Sequence, residues 1–251
     1  MCSTAHRAAC AQAAANDRVV VHEQHSDRSV LLAHKVRPQA HRSPAQEVCT
    51  TAREAILRPV TPPDRPGCPW GDSDPLMQAY HDTEWGVPLR EPQRLFELLC
   101  LEGAQAGLAW ITILRKRPAY REAFAGFKAE RLAAFTDVDR ARLMADAGIV
   151  RNRAKIEACI GNARAWLALP EPVATVWSYV DGRVIQNHWA AADQVPATTD
   201  ASHAMSAGLR ALGFRFIGPT IAYAFMQSAG LVNDHLIGCF RHAELGRRAN
   251  G

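Results

Sequence analysis

A change of pattern at Cys68 constrains this chain more than any other feature of its sequence. Downstream of it, apolar residues recur every three to four positions in one segment after another, and the alternation that marks a strand is sparse. Asp74 followed by Pro75 is a helix cap with proline at the first helical position. The spacing predicts a long apolar helix over residues 92–110 and a further helical stretch from Ile111. It also predicts helices in AERLAAF, DRARLMADAGI and RNRAKIEACIGNARAWLAL, with Gly148 as a stop between the last two. ATVWSYV reads as helix rather than strand. VIQNHWAAADQVPATT reads as a loop whose length points to a functional role. DASHAMSAGLRALGF and PTIAYAFMQSAGLVNDHLIGCF close the domain. The fold class expected is therefore all-α, with one helical domain over residues 68–243 and a tail at 244–251.

Residues 1–67 are a different kind of chain. They mix Ala, Arg, His and Ser with little periodicity and end in Pro59, Pro62, Pro63 and Pro66, a boundary signal. Val19–Val21 and Val30–Leu32 are too short to build a core, so a disordered or weakly ordered extension is expected. The alanine-rich start is broken by His6, Arg7, Asp17 and Arg18 and reads as no secretory signal. No stretch approaches the roughly 20 apolar residues that span a bilayer. A cytoplasmic monomer without membrane contact is the expectation. The extension carries nine Lys/Arg against six Asp/Glu, whereas residues 68–251 carry twenty against nineteen. The helical part is nearly neutral, so nucleic-acid contact must use a local patch rather than a global field. Arg115-Lys116-Arg117 and Arg151/Arg153/Lys155 read either as such a patch or as solvated helix ends. Seven widely spaced cysteines, an odd number, do not make a disulfide framework. Cys100 and Cys159 lie in apolar helical runs and read as core packing.

Four groups of residues carry chemistry. Leu95, Leu98, Leu99 and Glu102 stand at i, i+3, i+4 and i+7, one helix face that is apolar except for Glu102. A buried carboxylate without a partner is costly, so Glu102 either bonds a neighbouring amide or arginine or serves a site. Trp70, Tyr80, Trp85 and Trp110 crowd the same stretch. Each alone could be core packing; around a buried carboxylate they suggest a pocket for a planar, electron-poor ligand. Cys68 and His81 form C-x12-H, and His235 and Cys239 are four apart, which on a helix is one face. Together they offer a tetrahedral Cys2His2 set with no open position; the alternative is a core cysteine with surface histidines. ALGFRFIGPTIAYAF has a helix, a short turn with Gly213 and Gly218, and a second helix. Such a turn aims amides at an anion, in a DNA binder one phosphate, although an ordinary αα-hairpin reads the same way.

These pieces occur in a fixed order: CPWGDSDPLMQAYHDTEWGVP, LFELLCLEGAQAGLAWITILRKRPAYREAF, DAGIVRNRAKIEACIGNARA and GFRFIGPTIAYAFMQSAGLVNDHLIGC. In them the chain from Cys68 to about His242 resembles the bacterial DNA-3-methyladenine glycosylase I family. The resemblance implies the helix-hairpin-helix DNA glycosylase fold with one structural zinc ion per chain, held by Cys68, His81, His235 and Cys239. It implies that Glu102 hydrogen-bonds the methylated adenine, that Tyr80 and Trp110 wall the base pocket with Trp70 and Trp85 nearby, and that Gly213 and Gly218 belong to a phosphate-gripping turn. One departure is Ala109, where the family commonly has Ser before the Trp.

The activity implied is base-excision repair. The enzyme flips the damaged nucleotide out of double-stranded DNA and hydrolytically releases 3-methyladenine, leaving an abasic site. The leaving base is already cationic, so recognition and stabilisation of positive charge matter more than strong protonation. Many proteins of the wider superfamily use an Asp soon after the hairpin; here that is Asp234, ranked below Glu102. Residues 204–234 contain no Lys, which leaves no Schiff-base nucleophile there and argues against lyase activity. The alternatives are a broader alkylpurine glycosylase and a non-catalytic, zinc-stabilised DNA-binding module.

Overall fold

A computed structural model describes residues 66–249, with side chains described to Arg247. Except for Pro66 and Gly67, the expected extension lies outside the described residues. Ten α-helices build the described part. They are α1 (Pro75–Thr83), α2 (Pro92–Gln105), α3 (Trp110–Ala123), α4 (Ala129–Ala133) and α5 (Asp137–Ala145), then α6 (Arg153–Leu167), α7 (Pro172–Ser178), α8 (Asp200–Ala211), α9 (Pro219–Ser228) and α10 (Phe240–Ala249). Among the described residues the one ladder is a two-residue parallel bridge, β1 (Ile185–Gln186) on β2 (Val232–Asn233), with Ile185 opposite Val232. No described helix is long and apolar enough to cross a membrane.

Helix α2 is the axis of the molecule. Pro92 at its first turn suits a position where a backbone N–H would be unpaired anyway. The Glu91 carboxylate caps it by accepting from the amides of Gln93 (3.0 Å) and Arg94 (2.7 Å). Every residue from Leu95 to Ala104 is buried. A helix apolar around most of its circumference belongs inside a domain, and α3, α6, α7 and α9 pack around it. The sulfurs of Cys100 on α2 and Cys159 on α6 touch at 2.9 Å within this core, as the apolar runs implied.

The helix expected over 92–110 ends at Gln105, and the further stretch expected from Ile111 begins at Trp110. Gly107 adopts φ +77°, and the Leu108 amide closes a turn on the Gln105 carbonyl at 2.7 Å. Lys155 Nζ donates to the carbonyls of Ala104 (2.8 Å) and Ala106 (2.6 Å), so a cation caps the negative end of α2. Within the expected tail, α10 runs on to Ala249; Leu245 is buried, and the Asn233 side chain donates to the His242 carbonyl at 3.0 Å.

The first basic cluster is consumed internally. Arg117, buried, bonds Glu97 (2.6 Å) and Glu84 (2.7 Å). Arg115 pairs with Asp74 at 2.7 Å, and Lys116 donates to the carbonyls of Ala147 and Gly148. These bonds tie α3 to α1, α2 and the connection before α6. Arg151 and Arg153 remain exposed.

Candidate base pocket and metal centre

The site forms where the beginning and end of the domain meet. α1 is capped by Asp74, whose carboxylate accepts from the Leu76 amide at 2.8 Å, and it carries Tyr80 and His81 inward. At the other end, α9 stops at Gly230 (φ +69°), where a Cβ would lie 2.4 Å from the Val87 carbonyl carbon. Only glycine permits that approach. The chain then enters β2 and delivers Asp234, His235 and Cys239. His235 and Cys239 do not share a helix face as their spacing suggested. They lie on the connection between β2 and α10, where the Cys239 amide turns back onto the Leu236 carbonyl at 2.8 Å.

Cys68, His81, His235 and Cys239 are all buried, and their donor atoms lie within 4.8 Å of one another. Cys239 Sγ is 3.4 Å from His81 Nε2 and 3.5 Å from His235 Nδ1; Cys68 Sγ is 3.7 Å from His235 Nδ1, and the two ring nitrogens are 3.1 Å apart. Tetrahedral arms of zinc length span edges of about 3.3–3.8 Å. The far ring nitrogens agree with this use. His81 Nδ1 donates to Asp82 Oδ1 at 2.7 Å, and His235 Nε2 donates to the Trp85 carbonyl at 3.1 Å. Each imidazole therefore turns its acceptor nitrogen toward the cluster. Four protein donors that fit one ion leave no open coordination position.

Beside this cluster lies a cavity of about 490 Å³. Trp70, Tyr80, Trp85, Glu102 and Trp110 all line it, as do Tyr223, Gln227 and Asp234. Trp70 meets Trp85 edge-on at 4.9 Å, and Tyr80 lies 5.4 Å from Trp110. The indole N–H of Trp110 is buried without a partner, a donor left for whatever fills the cavity. Glu102 is 4 % exposed. Burial pushes its carboxyl up to about 8, opposed by a hydrogen bond with Ser228.

Several of these residues were not singled out from the sequence. Tyr223 and Gln227, four apart, line one side of α9, and their period is the ordinary period of a core helix. Val195, Pro196 and Ala197 come from the long loop and form an apolar wall. Asp234, ranked second by sequence, is buried and fully bonded.

Gly213 and Gly218 stand apart from the cavity. Gly213 ends α8 with φ +91°. The Arg215 backbone is held at both poles by Asn162, whose Oδ1 accepts its amide at 2.8 Å and whose Nδ2 donates to its carbonyl at 3.0 Å. Phe216 is forced to φ +54°, and Gly218 caps α9 with nothing within 4 Å of where a Cβ would project. Among the described residues no hydrogen bond involves the amides of Phe216, Ile217 and Gly218, which leaves a set of donors at a helix N-terminus.

An all-helical domain that closes a cysteine–histidine cluster beside an acidic, aromatic cleft is the class defined by fold and site. Residues 70–242 match the family model for methyladenine glycosylases. The chain is 50 % identical to DNA-3-methyladenine glycosylase 1 of Escherichia coli (strain K12) over 176 residues, which is 68 % of this chain and 94 % of that protein. It is 46 % identical to DNA-3-methyladenine glycosylase of Haemophilus influenzae over 68 % of this chain and 95 % of that one. A crystal structure of 3-methyladenine DNA glycosylase I superposes with a TM-score of 0.69 at 50 % identity, covering 70 % of this chain and 98 % of the other. The Staphylococcus aureus 3-methyladenine DNA glycosylase I, solved to explain 3-methyladenine recognition, superposes with a TM-score of 0.67 at 38 % identity, covering 69 % of this chain and 95 % of the other. The chain belongs to the methyladenine glycosylase family.

Proposed function

We propose that this protein excises 3-methyladenine from alkylated double-stranded DNA by hydrolysis of the N-glycosidic bond. The observation that carries this reading is the cavity: aromatic walls, two carboxylates, and no Lys, Arg or His among its lining residues. A planar cation fits that lining and a phosphate does not.

The damaged nucleotide rotates out of the stack, at a cost of a few kcal/mol that is smallest for a damaged base. Stacking on Tyr80 and Trp110 returns on the order of 1–3 kcal/mol, and their ring faces favour a cationic base. Glu102 receives the exocyclic amine. In the empty cavity burial keeps its carboxyl protonated near neutral pH; the arriving cation favours the carboxylate instead. The unpaired amides of residues 216–218, with Gly218 at the start of α9, grip one backbone phosphate in helix-hairpin-helix fashion. Zinc suits the Cys2His2 set and would act structurally, tying Cys68 and His81 to His235 and Cys239. Hydrolysis leaves an abasic site.

The test is release of free base from methylated duplex DNA, resolved by chromatography. 3-Methyladenine as the main product supports the reading, and a spread of released purines moves it to a broader alkylpurine glycosylase. Protein that binds the duplex and releases nothing is a DNA-binding module.

A further inference from the structure

The second basic cluster, Arg151, Arg153 and Lys155, has no part in the base pocket. It stands at the N-terminus of α6, where Asn152 is the cap and its Oδ1 accepts from the Lys155 amide at 3.1 Å. The helix dipole is positive at that end and disfavours cations there. No acidic residue in the first turn of α6 offsets them. Lys155 has a structural use, since its ammonium bonds the carbonyls of Ala104 and Ala106. Arg151 and Arg153 have none. Both are exposed, and neither enters an ion pair among the described residues. Helix stability does not account for two cations held against a dipole without a protein partner; an anion from outside does.

The end of α2 fixes where that anion lies. Ala104 and Ala106 hold Lys155, and Gln105 between them lines the cavity. Gly103 meets the hairpin: the Phe216 carbonyl oxygen lies 3.4 Å from where a Gly103 Cβ would stand. The start of α6, the hairpin and the cavity therefore converge on residues 103–106. Asn162, which holds Arg215 of the hairpin, is nine residues beyond Arg153 on α6, and at 1.5 Å per residue that is about 14 Å. A DNA strand advances about 3.4 Å per phosphate along the duplex axis, so the two stations take different phosphates. We propose that Arg151 and Arg153 are a second grip on the phosphate backbone of duplex DNA, beside the cavity and separate from the hairpin. The grip rests on the base-excision reading above, because it holds the same duplex whose damaged base enters the cavity. With twenty Lys/Arg against nineteen Asp/Glu over residues 68–251, no global field orients that duplex, and local contacts must. Helix α6 is the rigid bar between the two grips, and Lys155 ties the bar to the helix that carries Glu102.

The experiment measures binding of the full-length, metal-containing protein to a duplex with a tetrahydrofuran abasic-site analogue. Fluorescence anisotropy gives the affinity between about 50 and about 200 mM salt. Each cationic contact to a phosphate contributes about 0.9 to the slope of log affinity against log salt. The double variant Arg151→Gln, Arg153→Gln is therefore expected to flatten that slope by about 1.8 and to bind at least about tenfold more weakly at the low-salt end. Arg151→Lys with Arg153→Lys keeps both charges and should keep the wild-type slope, a rescue that a packing role would not produce. At saturating methylated duplex, both double variants should release base within about twofold of the wild-type rate, because neither residue touches the base. A Gln variant with the wild-type slope overturns the assignment, and so does a Lys variant as flat as the Gln variant. If the double Gln variant does not fold, Arg153→Gln alone is expected to flatten the slope by about 0.9, and an unchanged slope is equally fatal. Wild type that binds the duplex but releases no base removes the base-excision reading, while the slopes still decide the grip. Wild type that binds no duplex removes both.

Discussion

Folding favours the neutral form of Glu102 over the charged one. Its carboxyl sits near 8 in the folded chain because burial penalises the charge, whereas an unfolded Glu titrates near about 4.3. Between those values the folded protein binds a proton that the unfolded chain has released, so this residue's contribution to stability falls as pH rises through the window. A shift of that size corresponds to about 5 kcal/mol across it. Glu102→Gln removes the dependence. Thermal melts should show the variant gaining on wild type between about pH 5 and about pH 8; parallel curves would mean that Glu102 is not buried as described. Activity should move the opposite way. Base release from methylated duplex is expected to fall by at least about 100-fold in Glu102→Gln. In wild type, kcat/KM should rise with pH up to about 8, as the free site loses its proton. The limb in kcat should lie at lower pH, because the bound cation pulls the proton off.

At the scale of elements, the site depends on where helices stop. Helix α2 carries Glu102, and its end is fixed by Lys155, whose ammonium bonds the carbonyls of Ala104 and Ala106. Lys155→Met keeps the apolar stem and removes the cap. Denaturant unfolding should show a loss of about 1 kcal/mol, and KM for DNA should rise more than kcat falls, because the 106–109 turn loses its anchor beside the cavity. An unchanged KM would place Lys155 outside the working surface. Such ends also mark how far the sequence could be read. Helix identities and the order of the site residues are visible in periodicity, caps and motif strings. The end of α2 at Gln105, ahead of the expected bound at 110, is not, because apolar residues flank Gly107 and one glycine inside a helical run does not by itself end a helix. The placement of His235 and Cys239 off any helix is hidden for a similar reason: their i, i+4 spacing fits a helix, and only the Gly230 stop and the β2 bridge move them onto a connection. The Asp234 network is invisible for another reason. Its donors Asn187 and Trp189 come from a loop far from α9 in sequence and meet it only through tertiary pairing.

For the molecule as a whole, the Cys2His2 cluster joins the two ends of the domain. Cys68 and His81 lie at its start, His235 and Cys239 at its end, and nearly the whole helical fold is the loop that a bound ion would close. Closing so long a loop removes conformational entropy from the unfolded chain, and an ion bound by the folded form alone adds stability through mass action. The cluster also backs one wall of the cavity: Gly86, at φ +76°, leaves room for His235 Nε2 3.0 Å from where a Cβ would stand, and Trp85 packs edge-on against the same ring at 4.5 Å. Elemental analysis should therefore find one zinc per chain in wild type and none in Cys239→Ala. Chelation should lower the melting temperature by ~10 °C or more. With all four positions filled by protein, the ion has no place for water or substrate, so base release at temperatures well below the lowered melt should persist in proportion to the folded fraction. Chelated protein that stays folded and releases no base would move the metal from scaffold to chemistry. Chelated protein with an unchanged melt would mean that hydrogen bonds among the four side chains already hold the two ends together.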